Sequence, residues 1–81
     1  MKLPRDETGE SLVKKLSKVG YIVTRQKGSH IRLSKIAENI EHHITIPNHD
    51  PIKIGTLSKI LNEISVFMQI SKEELLDLIN R

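Results

Sequence analysis

The spacing of the apolar residues changes twice along this chain, and this change constrains the fold more than any other feature. Near the start, apolar residues recur at the intervals of one face of an α-helix: Leu12, Val13, Leu16 and Val19. From Tyr21 to Ile46 they form short β-branched or alternating runs, which are typical of strands. Helical intervals return after Gly55, so the chain passes from helix to sheet and back to helix.

Residues that start, stop or turn the chain set the bounds of the first elements. The Thr8 hydroxyl is suited to cap a helix, and Gly20 suits the left-handed backbone that ends one. We therefore predict a helix over about 8–19. Tyr21–Thr24 predicts a strand because it is aromatic and β-branched, and Gln26–Ser29 predicts a turn.

A second strand follows this turn. His30 and Arg32 alternate with Ile31 and Leu33, which predicts that the apolar pair faces the core and the polar pair faces the other side. The next segment, residues 35–41, fits either a loop or one helical turn, and the sequence leaves both open.

The last third of the chain predicts one more strand and two helices. His43–Ile46 predicts the strand, and Asn48–Pro51 predicts a loop after it because proline disfavours helix in the residue before it. Helical spacing then predicts an amphipathic helix containing Leu57, Ile60, Leu61 and Ile64. A capping box at Ser71 and Glu74 opens a short final helix over about 71–80, with three residues facing inward: Leu75, Leu78 and Ile79.

These elements combine into an α+β fold. Three antiparallel strands with two helices on one face bury the apolar sides of all five elements. The order is α-β-β-β-α with an added C-terminal helix. We expect a single domain over residues 1–81, with a core of about 8–64.

Composition excludes several classes of protein. The absence of cysteine excludes a disulfide framework and a thiolate metal site. No apolar stretch is long enough to span a bilayer, and the polar segment Met1–Glu10 lacks the pattern of a secretory signal, so we expect a cytoplasmic protein without a membrane partner. Tyr21 and Phe67 are the two aromatic residues, which argues against a base-stacking platform of the RRM or OB type. The net charge of +3 is uneven, with most cations before residue 36, so the first half is the candidate polyanion surface.

Four segments resemble the HicA family of toxin–antitoxin systems, and the match, which includes the opening helix, runs from about Thr8 to Ile64. They are the glycine-aromatic step Gly20-Tyr21, the hairpin Arg25-Gln26-Lys27-Gly28-Ser29-His30, the strand and exit loop Thr45-Ile46-Pro47 followed by His49, and the helix start Ile54-Gly55-Thr56-Leu57 with Ile60-Leu61. The resemblance implies a fold like a double-stranded-RNA-binding domain. It also implies cleavage of RNA, specifically mRNA, with His30 as the catalytic residue and a HicB-like antitoxin as the protein partner.

The chemistry of RNA cleavage suits these residues. RNA carries its own nucleophile, the 2′-hydroxyl, so an enzyme needs proton transfer and charge stabilisation, and no cofactor or metal is expected. Histidine transfers protons near neutral pH. By spacing alone, however, His30 is also an ordinary polar residue on the solvated side of a strand; its Gly-Ser-His context favours the catalytic interpretation.

The neighbouring residues carry the same two interpretations. Gly28 and Ser29 would bring backbone amides and a hydroxyl to a phosphate, or form an ordinary hairpin turn. The cationic side chains would either bind phosphate or simply form a solvated surface. They are Arg25, Lys27 and Arg32.

The other histidines do not predict a metal site. His42 and His43 are adjacent, so on a strand they point to opposite faces. Neither they nor His49 belongs to a convincing ligand quartet, and nothing in the sequence singles out one of them as a second proton donor.

Two other functions remain open from the residues alone. A non-catalytic RNA-binding module of the same fold would bind RNA without His30, and a protein-interaction domain would dock an acidic partner on the basic surface. We expect no DNA binding by this chain alone.

Overall fold

The computed structural model describes residues 6–81, so Met1–Arg5 of the polar N-terminal segment lie outside the described residues. The elements follow in the order α1 (Gly9–Ser17), β1 (Ile22–Lys27), β2 (His30–Ala37), β3 (Ile40–Pro47), α2 (Ile54–Met68) and α3 (Lys72–Ile79). This order confirms the predicted α+β class, with α-β-β-β-α followed by a C-terminal helix. No helix among residues 6–81 is long and apolar enough to cross a membrane.

The start of α1 confirms the predicted cap. The Thr8 hydroxyl accepts a hydrogen bond from the Ser11 backbone N–H at 3.1 Å, and the Ser11 hydroxyl accepts one from the Thr8 N–H at 3.0 Å. Just before the cap, the buried Glu7 carboxylate forms an ion pair with Lys15 at 2.6 Å. Gly20, at φ +98°, has the left-handed backbone predicted after the helix.

The sheet is an antiparallel meander in the order β1-β2-β3. The strands are longer than predicted, because the first turn contains only Gly28 and Ser29. The segment 35–41 is neither of the two predicted alternatives. It completes β2, turns through Glu38 and Asn39, and begins β3. Both turn residues have positive φ, 51° and 66°, as in a type I′ hairpin whose twist matches that of the strands.

The core lies between one face of the sheet and the helices. Ile31 and Leu33 are buried, as predicted, and pack in one cluster with Ile44 and Ile46 of β3 and apolar residues of all three helices. The helix spacing is confirmed for the four predicted residues of α2 and for Leu75 and Ile79 of α3, all of which are buried. The prediction for Leu78 was wrong: this residue is partly buried, and Leu76 packs against the core instead. The opposite face of the sheet, called the open face below, is covered by none of the helices formed by residues 6–81, so its side chains are available to a ligand or partner.

Candidate functional site

A bulge in β1 determines which side chains reach the open face. Val23 pairs with Leu33 and Arg25 pairs with Arg32, so Thr24 is an extra residue between them. Because paired residues share a face, Arg25 lies on the open face beside Arg32. Thr24 lies on the same face, since its hydroxyl is 3.2 Å from the Ser34 hydroxyl. Two consecutive residues of β1 therefore point to the same side.

His30 lies at the hairpin end of the open face. It is the first residue of β2, it is exposed, and its neighbours across the strands are Lys27 and Pro47. The preceding turn has Gly28 at φ +57°, which an L side chain rarely adopts. The Ser29 carbonyl accepts a hydrogen bond from the Asn48 N–H at 2.6 Å, which fixes the turn against the loop after β3.

The three predicted cations share this part of the open face with His30. Arg25 faces Arg32 across the β1–β2 pair, and Lys27 faces His30. All three are exposed. Within residues 6–81, no carboxylate lies within salt-bridge distance of any of them. Their charges are therefore free to attract an anion, and the structure brings together all six predicted site residues: Arg25, Lys27, Gly28, Ser29, His30 and Arg32.

The other histidines have different surroundings. His42 points to the helix side, where its Nδ1 is 2.7 Å from the Tyr21 hydroxyl and its ring stacks on Phe67 at 4.5 Å. His43 lies on the open face, so the two point to opposite sides as predicted. His49 is exposed in the loop after β3. Within residues 6–81, no three His, Asp or Glu side chains are grouped as a metal site would require.

A second feature of the open face was not predicted from the sequence: a shallow groove of about 500 Å³ lies next to the cations. At its base the buried Ser34 hydroxyl is 2.6 Å from His43 Nδ1, and His43 Nε2 is 2.5 Å from the Glu41 carboxylate. Arg25 and Arg32 also line the groove. The available signal was the alternation of Glu41 with His43, which places both on one face of an extended strand.

Comparison with protein families gives the class of this fold and site. The family model described as HicA toxin of bacterial toxin–antitoxin matches residues 9–66, more than half of the chain, from α1 into α2. The molecule is therefore a toxin of a toxin–antitoxin system. Within that class, the chain belongs to the HicA family. The helix α3 lies beyond the matched residues. Comparison with curated proteins and with solved structures found no match.

Proposed function

We propose that this toxin is a metal-independent endoribonuclease that cleaves mRNA in the cytoplasm, with His30 transferring a proton in the reaction. The observation that carries the proposal is the position of His30. It is an exposed histidine at the start of β2, and its face of the sheet also carries three cations that form no ion pair within residues 6–81. A histidine transfers protons near neutral pH, and cations that make no ion pair with the protein are available to a phosphate backbone.

The reaction requires no atom that RNA and the protein do not supply. The 2′-oxygen forms a bond to phosphorus while the bond from phosphorus to the 5′-oxygen breaks. One proton leaves the 2′-hydroxyl and one arrives at the 5′-oxygen, so the products are a 2′,3′-cyclic phosphate and a 5′-hydroxyl. His30 moves one of these protons. Arg32 and Lys27, its neighbours on the open face, stabilise the negative charge that develops on the phosphate oxygens.

The turn before His30 has a positioning role in this proposal. Gly28 and Ser29 present backbone N–H groups and a hydroxyl at the end of the hairpin, where a phosphate oxygen would accept them. The Asn48 N–H bond to the Ser29 carbonyl holds the turn in place. Position 28 favours glycine because of its positive φ and not because of limited space, since an added Cβ there would meet nothing within 4 Å.

The decisive experiment compares His30→Ala with His49→Ala, since both histidines are exposed. Expression of the wild-type chain should arrest growth and deplete mRNA, and His30→Ala should abolish both. In vitro its cleavage rate should fall about 10²–10⁴-fold. His49→Ala should retain cleavage if His30 acts alone. Equal toxicity of wild type and a folded His30→Ala would overturn the assignment and favour a non-catalytic RNA-binding module.

The identity of the products tests the rest of the mechanism. Chelators should leave the rate unchanged, and a 2′-deoxy substitution at the cleaved position should block cleavage. A substrate with sulfur in place of the leaving 5′-oxygen needs no acid, so it should restore cleavage by His30→Ala if His30 is the general acid. Complete inhibition by EDTA, reversed by a divalent metal, would contradict the metal-independent mechanism.

We also propose that a HicB-type antitoxin inhibits the toxin by covering the face that carries Lys27, His30 and Arg32. Acidic groups opposite these cations would speed association and pair charges that would otherwise be buried alone. The double variant Lys27→Glu, Arg32→Glu should weaken binding of antitoxin and RNA together. A chain truncated before Ser71 serves as the comparison, after circular dichroism has shown that it folds without Leu75 and Ile79 of the core. If the truncation abolishes antitoxin binding and the double variant does not, the antitoxin docks elsewhere.

A further inference from the structure

The groove beside the cationic cluster has a chemical character that the proposed cleavage does not use. Its rim carries two exposed apolar side chains, Ile22 at 64 % and Ile36 at 70 % exposure. Exposed branched side chains on a sheet face gain free energy when a ligand covers them. Polar groups line the groove beside them, namely the Thr24 hydroxyl and the linked Ser34 and His43. Apolar walls around a few fixed polar groups are typical of a ligand site.

The hydrogen bonds fix the His43 ring rather than activate it. Nδ1 is within hydrogen-bond distance of the Ser34 hydroxyl and Nε2 of the Glu41 carboxylate, so both ring nitrogens already have polar partners in the protein. What His43 offers a ligand is therefore the carbon and π surface of a ring held in one orientation. Ser34, His43 and Glu41 also have the residue types of a nucleophilic triad. However, β2 is hydrogen-bonded on both edges, so it has no row of free N–H groups to stabilise an oxyanion.

The register sets the distance from this groove to His30. Ser34 and His30 lie on the same face of β2, four residues apart, which corresponds to about 13 Å along a strand. Arg32 lies between them, with Arg25 beside it. An extended RNA strand with its scissile phosphate at His30 would therefore cross the arginines and place a neighbouring nucleotide over the groove. At this distance His43 cannot transfer a proton at the scissile phosphate.

We propose that this groove binds the base of a nucleotide that flanks the scissile phosphate of single-stranded RNA, stacked on His43 between Ile22 and Ile36. The proposal rests on the proposed ribonuclease function and adds a specificity subsite to it. A base has two flat faces for the ring and the isoleucines, and histidine rings and arginine planes are established partners for unstacked RNA bases. The positive charge of Arg25 and Arg32 favours the phosphate that leads into the groove.

The test is direct binding of a single-stranded oligoribonucleotide to the full chain carrying His30→Ala, so that no cleavage occurs. Adding His43→Ala should weaken binding about tenfold, the loss expected for one base–side chain stack. His43→Phe keeps a ring and should recover most of the affinity. Ile36→Ser changes an exposed residue and should weaken binding without affecting folding. Asn62→Ala, on the exposed side of α2, is the control and should have no effect.

A fluorescent purine analogue placed at successive positions of the RNA identifies the stacked base. Its quenching on binding should be largest at one position near the cleavage site, and His43→Ala should abolish it there. If His43→Ala and Ile36→Ser bind RNA as tightly as the parent, the groove is not a nucleotide site. If the two variants instead weaken binding of the antitoxin alone, the groove is a protein contact and the proposal is wrong. Loss of cleavage in His30→Ala tests the nuclease separately, because the binding assay requires no cleavage.

Discussion

Tyr21 gives the most quantitative test of how the helices pack on the sheet. Its ring is buried just before β1, and its hydroxyl lies 2.7 Å from Nδ1 of His42. Burial raises the pKa of the Tyr21 phenol from 10.0 to about 12, and the negative charge of Glu63 acts in the same direction. The folded protein therefore favours the neutral phenol, whose hydroxyl lies within hydrogen-bond distance of the His42 ring.

The shift translates into a pH-dependent free energy of unfolding. A rise of about two pKa units corresponds to roughly 3 kcal/mol. Because the folded-state pKa is the higher one, this contribution is fully present below the unfolded pKa of 10.0. It is lost as the pH rises from there through about 12. Tyr21→Phe has no ionisable group at this position, so it should lack this loss.

The assay is direct because the chain contains one tyrosine and no tryptophan, so the ultraviolet absorbance of phenolate reports Tyr21 alone. The absorbance titration of the folded protein should have its midpoint near pH 12. Denaturant unfolding of wild type and Tyr21→Phe, below pH 10 and near pH 12, should show the extra loss in wild type only. Lysine titration affects both proteins equally and cancels. A folded-state midpoint at the ordinary value of 10.0 would refute this account of the packing.

Three further predictions concern the backbone and a buried ion pair. Gly9→Ala should lower the free energy of unfolding by about 1–3 kcal/mol, because an added Cβ would lie 2.7 Å from the Asn48 Cα. Gly55→Ala, where nothing lies within 4 Å, is the matched control and should stabilise α2 by up to about 1 kcal/mol in the same denaturant assay. Asn39→Gly should raise the thermal midpoint, since φ +66° costs glycine less than asparagine; a lower midpoint would contradict the turn assignment. Glu7→Gln should cost about 1–3 kcal/mol by leaving Lys15 without its carboxylate, whereas an exposed pair such as Arg81–Asp77 should cost far less when broken.

Periodicity was enough to predict the helices and the two faces of β2. Leu12 and Leu16 mark the buried side of α1, and Ile31 and Leu33 mark the core side of the sheet, because burial repeats with the geometry of each element. The antiparallel strands were predicted, but the tight turn between β2 and β3 was missed for a local reason. This turn contains no glycine, and Glu38 adopts φ +51° because the long strands on either side pair across it. A turn that is imposed by strand pairing cannot be predicted from the local propensities of its residues.

The candidate site also has one part that the sequence could suggest and one part that it could not. Gly28 and His30 could be proposed as site residues because the hairpin that resembles the family is a continuous stretch of sequence. The groove was missed because Thr24, Ser34 and His43 come from three different strands, and they meet only through the register and the bulge. No spacing along one segment predicts contacts of that kind.

Because of the bulge at Thr24, the effect of deleting a residue from β1 depends on which residue is deleted. Counting back from the turn, Lys27 and Arg25 fall on the open face and Gln26 on the core side. Deleting Thr24 itself would leave every other residue on its present face, because it has no partner of its own in β2. Deleting Gln26 would instead move Arg25 to the core side. We therefore expect β1 to tolerate deletion of Thr24. Deletion of Gln26, two residues later, would remove the Arg25 cation from the face that carries His30.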